Sequence, residues 1–244
     1  MTWYKKRPFY RSDILLYLAL GLQIVVWTVT RHHLPTPGIV PNVPSQTSVK
    51  ALSLGDEQFY FRILAYQLQN AGDSFGRFTA LKSYNYHLLY YWFTLLDSLD
   101  HTSNFVPSMA SYYYSQTQNT PDVRYIVDYL DQHASKDLYH KWWWMGQAVY
   151  LANHKLKDKD LALALAYKLA STPRDDIPLW AKQMPAFIHE QRGEMDEALV
   201  IIEDMMKHAD RMEPGELNFM RYFVEERLGK LVSQYPELKG LIKK

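Results

Sequence analysis

Hydrolytic or metal chemistry in this chain would need clusters drawn from its nine histidines and 26 carboxylates, because the sequence contains no cysteine. That excludes disulfide frameworks, thiolate zinc sites, iron–sulfur clusters and thiol nucleophiles together. The histidines form no ligand set by spacing. His189-Glu190 lacks the second histidine at i+4 that a zinc-protease helix requires. His133 and His140 bracket Asp137, but a turn is expected between them, and a zinc site needs a closed set of ligands. There is no G-x-S-x-G elbow, no phosphate-binding G-x-x-x-x-G-K loop and no G-x-G-x-x-G turn. The expectation is a protein that is not an enzyme and takes no cofactor or metal.

The aromatic residues are the more informative chemistry. They make up 15% of the chain and include two runs, Tyr112-Tyr113-Tyr114 and Trp142-Trp143-Trp144. On a helix three neighbours fan over about 200°, wider than the ~100° stripe a surface helix buries. Either packing between helices hides the whole fan, or one ring of each run, Tyr113 and Trp143, stands in a groove as an anchor for a protein partner. The connector 71–85 is long for a helix hairpin and carries Gly72 and Gly76 for backbone freedom, with Arg77 and Lys82 as donors. It reads as a binding loop, or else as a flexible excursion or an extra helical turn. A formal net charge of +1, from Lys+Arg 27 against Asp+Glu 26, gives no electrostatic reason to expect nucleic acid as a partner.

The amino terminus determines where such a surface would sit. Residues 1–12 form a basic stretch with Lys5, Lys6, Arg7 and Arg11, and residues 13–30 an expected transmembrane helix. Its anchor residues are Ile14, Leu15, Leu16, Leu18, Leu20, Leu22, Ile24, Val25, Val26 and Trp27. The charge-free run spans roughly 24 Å, short of the ~30 Å hydrocarbon core by an amount that flanking polar residues can make up. A cleaved signal peptide would need small residues after the run, where Arg31-His32-His33 stands; a buried core helix would show a polar stripe. The four basic residues outweigh Arg31, which places the amino terminus in the cytoplasm and the remainder outside it, in the periplasm of a two-membrane cell. Residues 31–50 then read as a linker, with Pro35, Pro37, Pro41 and Pro44 favouring an extended spacer.

From residue 51 to 244 the periodicity is helical throughout. Helices are expected in pairs at 56–70 with 86–98, 105–117 with 121–134, 138–154 with 160–171 and 179–191 with 195–208, closed by 216–228. An offset of 36 residues lays Trp144 on Trp180, Leu151 on Phe187, Asp160 on Asp196, Ala162 on Ala198 and Leu163 on Leu199. The segment Gly193-Glu194-Met195-Asp196-Glu197-Ala198-Leu199 resembles the middle of a tetratricopeptide repeat, and Leu95-Leu96-Asp97-Ser98-Leu99-Asp100 with Asn104 resembles the end of one. The chain departs from the family at His101, where proline is usual, and at Met184-Pro185, where a small residue is usual.

The fold expected is therefore all-α: one amino-terminal transmembrane helix, then an α-solenoid of helix-turn-helix repeats, with an irregular helical bundle as the alternative. The resemblance implies protein–protein binding. The functional expectation is a single-pass, inner-membrane scaffold or adaptor for protein partners in a cell-envelope complex. The alternative is an accessory subunit of a membrane assembly, bound mainly through its transmembrane helix.

Overall fold

The computed structural model describes residues 10–31, 38–74, 77–172, 177–206 and 214–223. The basic residues Lys5, Lys6 and Arg7 lie outside them. The chain divides into two units, Met1–Gly38 and Ile39–Lys244. The first contains α1 (Arg11–Thr30), opened by Asp13, whose carboxylate accepts from the Tyr10 backbone N–H at 2.9 Å. Its apolar residues cover the whole circumference and stay exposed, from 49% at Ile14 to 69% at Leu15. The hydroxyls of Thr28 and Thr30 donate back to the Ile24 and Val26 carbonyls at 2.7 Å, so neither is left without a partner inside the helix. The stretch Ser12–Thr30 is long and apolar enough to cross a membrane, and none of it is buried.

Among the described residues the second unit is helical apart from connecting turns and one ribbon of two residues per strand, and it begins earlier than proline content suggests. Residues 39–45 form an irregular strip packed on the helices: Val40 is buried, and the Trp92 indole N–H donates to the Pro41 carbonyl at 2.8 Å. Proline removes a donor but leaves its carbonyl, and such a strip on a surface needs little more than that. A short helix follows, α2 (Gln46–Leu52), capped by Ser45 and anchored by the fully buried Val49. Part of the expected 31–50 linker is therefore packed structure.

The remaining elements are α3 (Glu57–Gln69), a ribbon of β1 (Asp73–Ser74) and β2 (Arg77–Phe78), α4 (Tyr86–Leu99), α5 (Phe105–Ser108), α6 (Val123–Ser135), α7 (Leu138–Tyr150), α8 (Lys159–Ala170), α9 (Leu179–Lys182), α10 (Met184–Arg192), α11 (Met195–Met206) and α12 (Pro214–Tyr222). Four of the longer helices start on the same device. Asp56, Asn85, Asp137 and Asp158 each turn a side-chain oxygen onto the backbone N–H three residues on, at 2.8–3.3 Å. Pro185 does not interrupt a helix as the sequence suggested; the chain breaks at Gln183, and Pro185 occupies the first turn of α10, where its missing N–H has no helical partner to lose.

Side-chain links recur between helices one pair apart. His133 of α6 meets Asp97 of α4 across 36 residues, and Lys168 of α8 meets Asp131 of α6 across 37. On the alternate helices Ser111 donates to Gln147 across 36 residues, Asn153 to Gln191 across 38, and the Leu179 backbone N–H to Glu216 across 37. Close packing relies on small residues: Ala162 and Ala166 of α8, Ala186 of α10 and Ala198 of α11 are all fully buried. Ala164, on the other side of α8, is exposed. Ala162→Leu and Ala198→Leu should each destabilise the fold by about 1–3 kcal/mol through overpacking. Ala164→Leu should be near neutral, and urea unfolding of the three variants measures the contrast.

Candidate functional site

The connector after α3 is built around Gly72. Its φ of +81° is open to glycine, and a Cβ there would fall on the Tyr84 hydroxyl. That hydroxyl donates to the Ala71 carbonyl at 2.5 Å, and the Thr79 N–H donates to the Gly72 carbonyl at 3.1 Å. The antiparallel ribbon, pairing Asp73 with Phe78 and Ser74 with Arg77, stands on this base, and a 3₁₀ turn at Leu81–Ser83 leads into α4. Where it is described, the expected long loop is a two-stranded ribbon followed by one extra helical turn at Leu81–Ser83.

Opposite it, α5 passes into a π-helical turn, Met109–Tyr113. The wider turn inserts a residue and shifts the phase of the tyrosine run. Tyr114 is fully buried; its hydroxyl donates to the Leu68 carbonyl at 2.8 Å, and its own carbonyl accepts from the Tyr86 hydroxyl at 2.8 Å. Burial pushes the Tyr86 phenol up to about 12 and the Tyr114 phenol up as well, so both remain neutral donors. Tyr112 and Tyr113 point outward, 52% and 47% exposed. The tryptophan run divides the same way: Trp144 is buried with its N–H on Asn104 at 2.9 Å, while Trp143 is 41% exposed and donates to the Tyr112 hydroxyl at 3.0 Å. Trp142 and Trp143 both meet the ring of Trp180, at 6.0 and 6.2 Å between centroids.

Between the ribbon and the tyrosines lies an open cleft of about 480 Å³, within the usual size of a ligand site. Its walls are the exposed rings of Phe78, Phe105, Tyr112 and Tyr113, with Gln69, Asn70, Asp73 and Ser108 as polar groups. Of the residues singled out from sequence, Tyr113 lines the cleft, and Trp143 is joined to it through Tyr112. Lys82 is exposed on the 3₁₀ turn and is not in the lining; its backbone N–H reaches Gln118 at 3.4 Å. Arg77 pairs through its backbone with Ser74, and its side chain lies outside the described residues. Sequence reasoning missed Phe78 and Phe105, single rings with no run to mark them, and the Gln69–Asp73 edge, whose cue was only the Gly72 turn.

The titratable clusters are built for packing. Asp97 is buried between α4 and α6, with His133 Nδ1 at 2.7 Å, the Tyr129 hydroxyl at 3.2 Å and Lys136 Nζ at 3.2 Å. Burial pushes its carboxyl up, but the hydrogen bond and charge of His133, joined by Lys136, outweigh it and hold it below the usual carboxylate range. Lys141 sits nearby, buried at a kink in α7; burial pushes its ammonium down, and Asp97 acts against that. His140 meets Asp137 separately at 2.8 Å, so His133, Asp137 and His140 do not converge. Among the described residues no three His, Asp or Glu side chains are placed to hold a metal ion. A second buried histidine, His189, lies between Tyr167 at 2.7 Å and Glu194 at 2.6 Å.

No protein-family profile matches the chain, no curated protein is similar to it, and no solved structure matches its fold.

Two outcomes are expected from this geometry. Gly72→Ala should destabilise the connector and abolish the ordered cleft, seen as faster hydrogen exchange across residues 71–85 with little change in α7 and α8. Asp97→Asn should cost about 3–5 kcal/mol at neutral pH by removing the buried carboxylate that accepts from Tyr129 and Lys136 and meets His133. Because the Asp97 carboxyl titrates lower folded than unfolded, its stabilisation is complete above the unfolded value, ~3.9, and disappears as pH falls through the folded one. The parent and the variant should therefore converge in urea midpoint at the acid end of a pH series.

Proposed function

We propose that this chain is a membrane-anchored scaffold whose helical unit, of tetratricopeptide-like build, binds a protein partner through the aromatic cleft beside Tyr113. The recurrence of links across 36–38 residues supports a repeat architecture. The uncovered apolar helix α1 supports the anchor. One observation carries the functional step: each aromatic run buries one ring and exposes others, Tyr112 and Tyr113 in the first and Trp143 in the second, so that two exposed tyrosines line a cleft and Trp143 donates to one of them, Tyr112. Exposed, pre-positioned aromatic rings are the usual anchors of protein interfaces. In this reading the amino terminus is cytoplasmic and the helical unit lies across the inner membrane, in the cell envelope. The protein performs no chemistry of its own, and the anchor raises its effective concentration toward membrane partners.

A photo-crosslinking phenylalanine at position 113 should trap a protein adduct in cells. The same group at position 150, where Tyr150 is 51% exposed on α7, should trap far less. The adduct at 113 should persist when residues 14–29 are replaced by an unrelated apolar helix; its loss would favour the accessory-subunit reading, in which α1 is the main contact. A phosphatase fused after Lys244 should be active, and a fluorescent protein that folds only in the cytoplasm should stay dark there. The opposite pattern would overturn the orientation.

A further inference from the structure

We propose that the partner enters as an extended, proline-containing segment lying along α3, with an acidic residue on Arg62 at one end and a basic residue near Asp73 at the other. This rests on the binding reading above and names the chemistry of what is bound.

The cleft beside Tyr113 does not stop at α3. A second opening of about 410 Å³ adjoins it, with Gln69 and Phe105 lining both. Its floor is a single face of α3, on which Arg62, Tyr66 and Gln69 succeed one another at helical spacing. From Arg62 to Gln69 along α3 is about 10 Å at the helical rise of ~1.5 Å per residue, and Asp73 lies beyond the turn that follows. A polyproline II strand covers the α3 stretch in about three residues, and about five carry it past the turn.

The charges at the ends are uncommitted. Arg62 is exposed and has no ion pair or hydrogen bond with the described residues. Asp100 shares its end of the groove, but its oxygens are engaged: Oδ2 accepts from the Gln58 amide at 3.0 Å, and Oδ1 from the backbone N–H groups of Thr102 and Ser103 at 3.1 and 3.2 Å. The guanidinium fork is therefore left for an incoming carboxylate, which it matches bidentately. Asp73, on the ribbon at the other end, likewise makes no side-chain hydrogen bond or ion pair with the described residues. Between the two the walls are rings and neutral amides, which suit an uncharged middle.

The molecule already binds a proline-containing segment. Its own 39–45 strip contains Pro41 and Pro44, runs outside any helix or ribbon, and is held by an indole N–H on the Pro41 carbonyl with Val40 buried beside it. Ile39 of that strip packs against Gly72, at the rim of the cleft. The groove thus continues a surface that accepts proline-rich backbone, and aromatic-lined grooves recognise such backbone because little ordering entropy is left to lose.

The test uses the full-length protein in detergent micelles and an array of heptapeptides. Each peptide has a five-residue core of Pro, Leu, Ala and Ser between ends that are acidic–basic, basic–acidic, both acidic or both basic. Peptides with one acidic and one basic end should bind at least tenfold tighter than the like-charged classes, in at least one chain direction. Arg62→Glu should transfer the preference to doubly basic peptides, and Asp73→Lys to doubly acidic ones. Tyr66→Ser, at an exposed side chain, should weaken every class about tenfold without shifting the thermal midpoint. Replacing core prolines by glycine should also weaken binding. An array profile unchanged in both charge variants, or no binding above empty micelles, overturns the proposal. If the crosslink at position 113 persists in that event, the scaffold reading stands and only the assignment of the bound segment falls.

Discussion

The Tyr114 hydroxyl bound to the Leu68 carbonyl joins the parts of the structure that the cleft depends on. The same residue accepts from Tyr86 through its backbone and packs edge-on against the rings of Tyr84 and Tyr86. One buried side chain thereby fixes α5 to the end of α3, to the start of α4 and to the last residue of the connector. Such a phenol is costly to bury without a partner, so the donor and acceptor inventory has to close around it. Each of its hydrogen bonds here ends on backbone or on another tyrosine. The cleft is the exposed edge of this arrangement, and its two walls are held apart by groups that cannot move independently.

The helical character of the second unit was legible because its cues are local. Capping residues Asp56, Asn85, Asp137 and Asp158 and the glycine turn at Gly193 stand directly before or after the periodic segments they delimit. The spacing that suggested a repeat appears again as links between Asp97 and His133 and between Asp131 and Lys168. What the sequence concealed was tertiary. Proline content argued for a free spacer up to residue 50, whereas Val40 and Val49 found apolar surface and Pro41 found an indole donor. The zinc-like arrangement of His133, Asp137 and His140 dissolved because Asp97, distant in sequence, was the nearer partner.

The candidate site was legible in part for the same reason. A run of three aromatic residues announces that not all of them can share one buried stripe, and Tyr113 and Trp143 emerged from that geometry alone. Which residues would face them depended on the path of the connector, and no periodicity governs a ribbon of two residues per strand. Lys82 was chosen for its charge and stands away from the lining, while the groups that do line the cleft, Gln69 and Asn70, are uncharged residues at the end of a helix.

The π-helical turn at Met109–Tyr113 gives this segment an unusual tolerance. Such a turn is a helix that has taken in one residue beyond its ordinary pitch without breaking. Deleting a residue within it returns the segment to α pitch while Tyr114, beyond the turn, keeps its packed phase, so what changes is which rings of the turn project. In the α-helical stretches, unlike this turn and a second π-helical one at Leu151–Leu156, a one-residue deletion would throw a buried stripe out of phase with its neighbours. At this turn it would instead redraw the cleft wall, so length variation, more than side-chain replacement, is the cheap way for this surface to change what it presents.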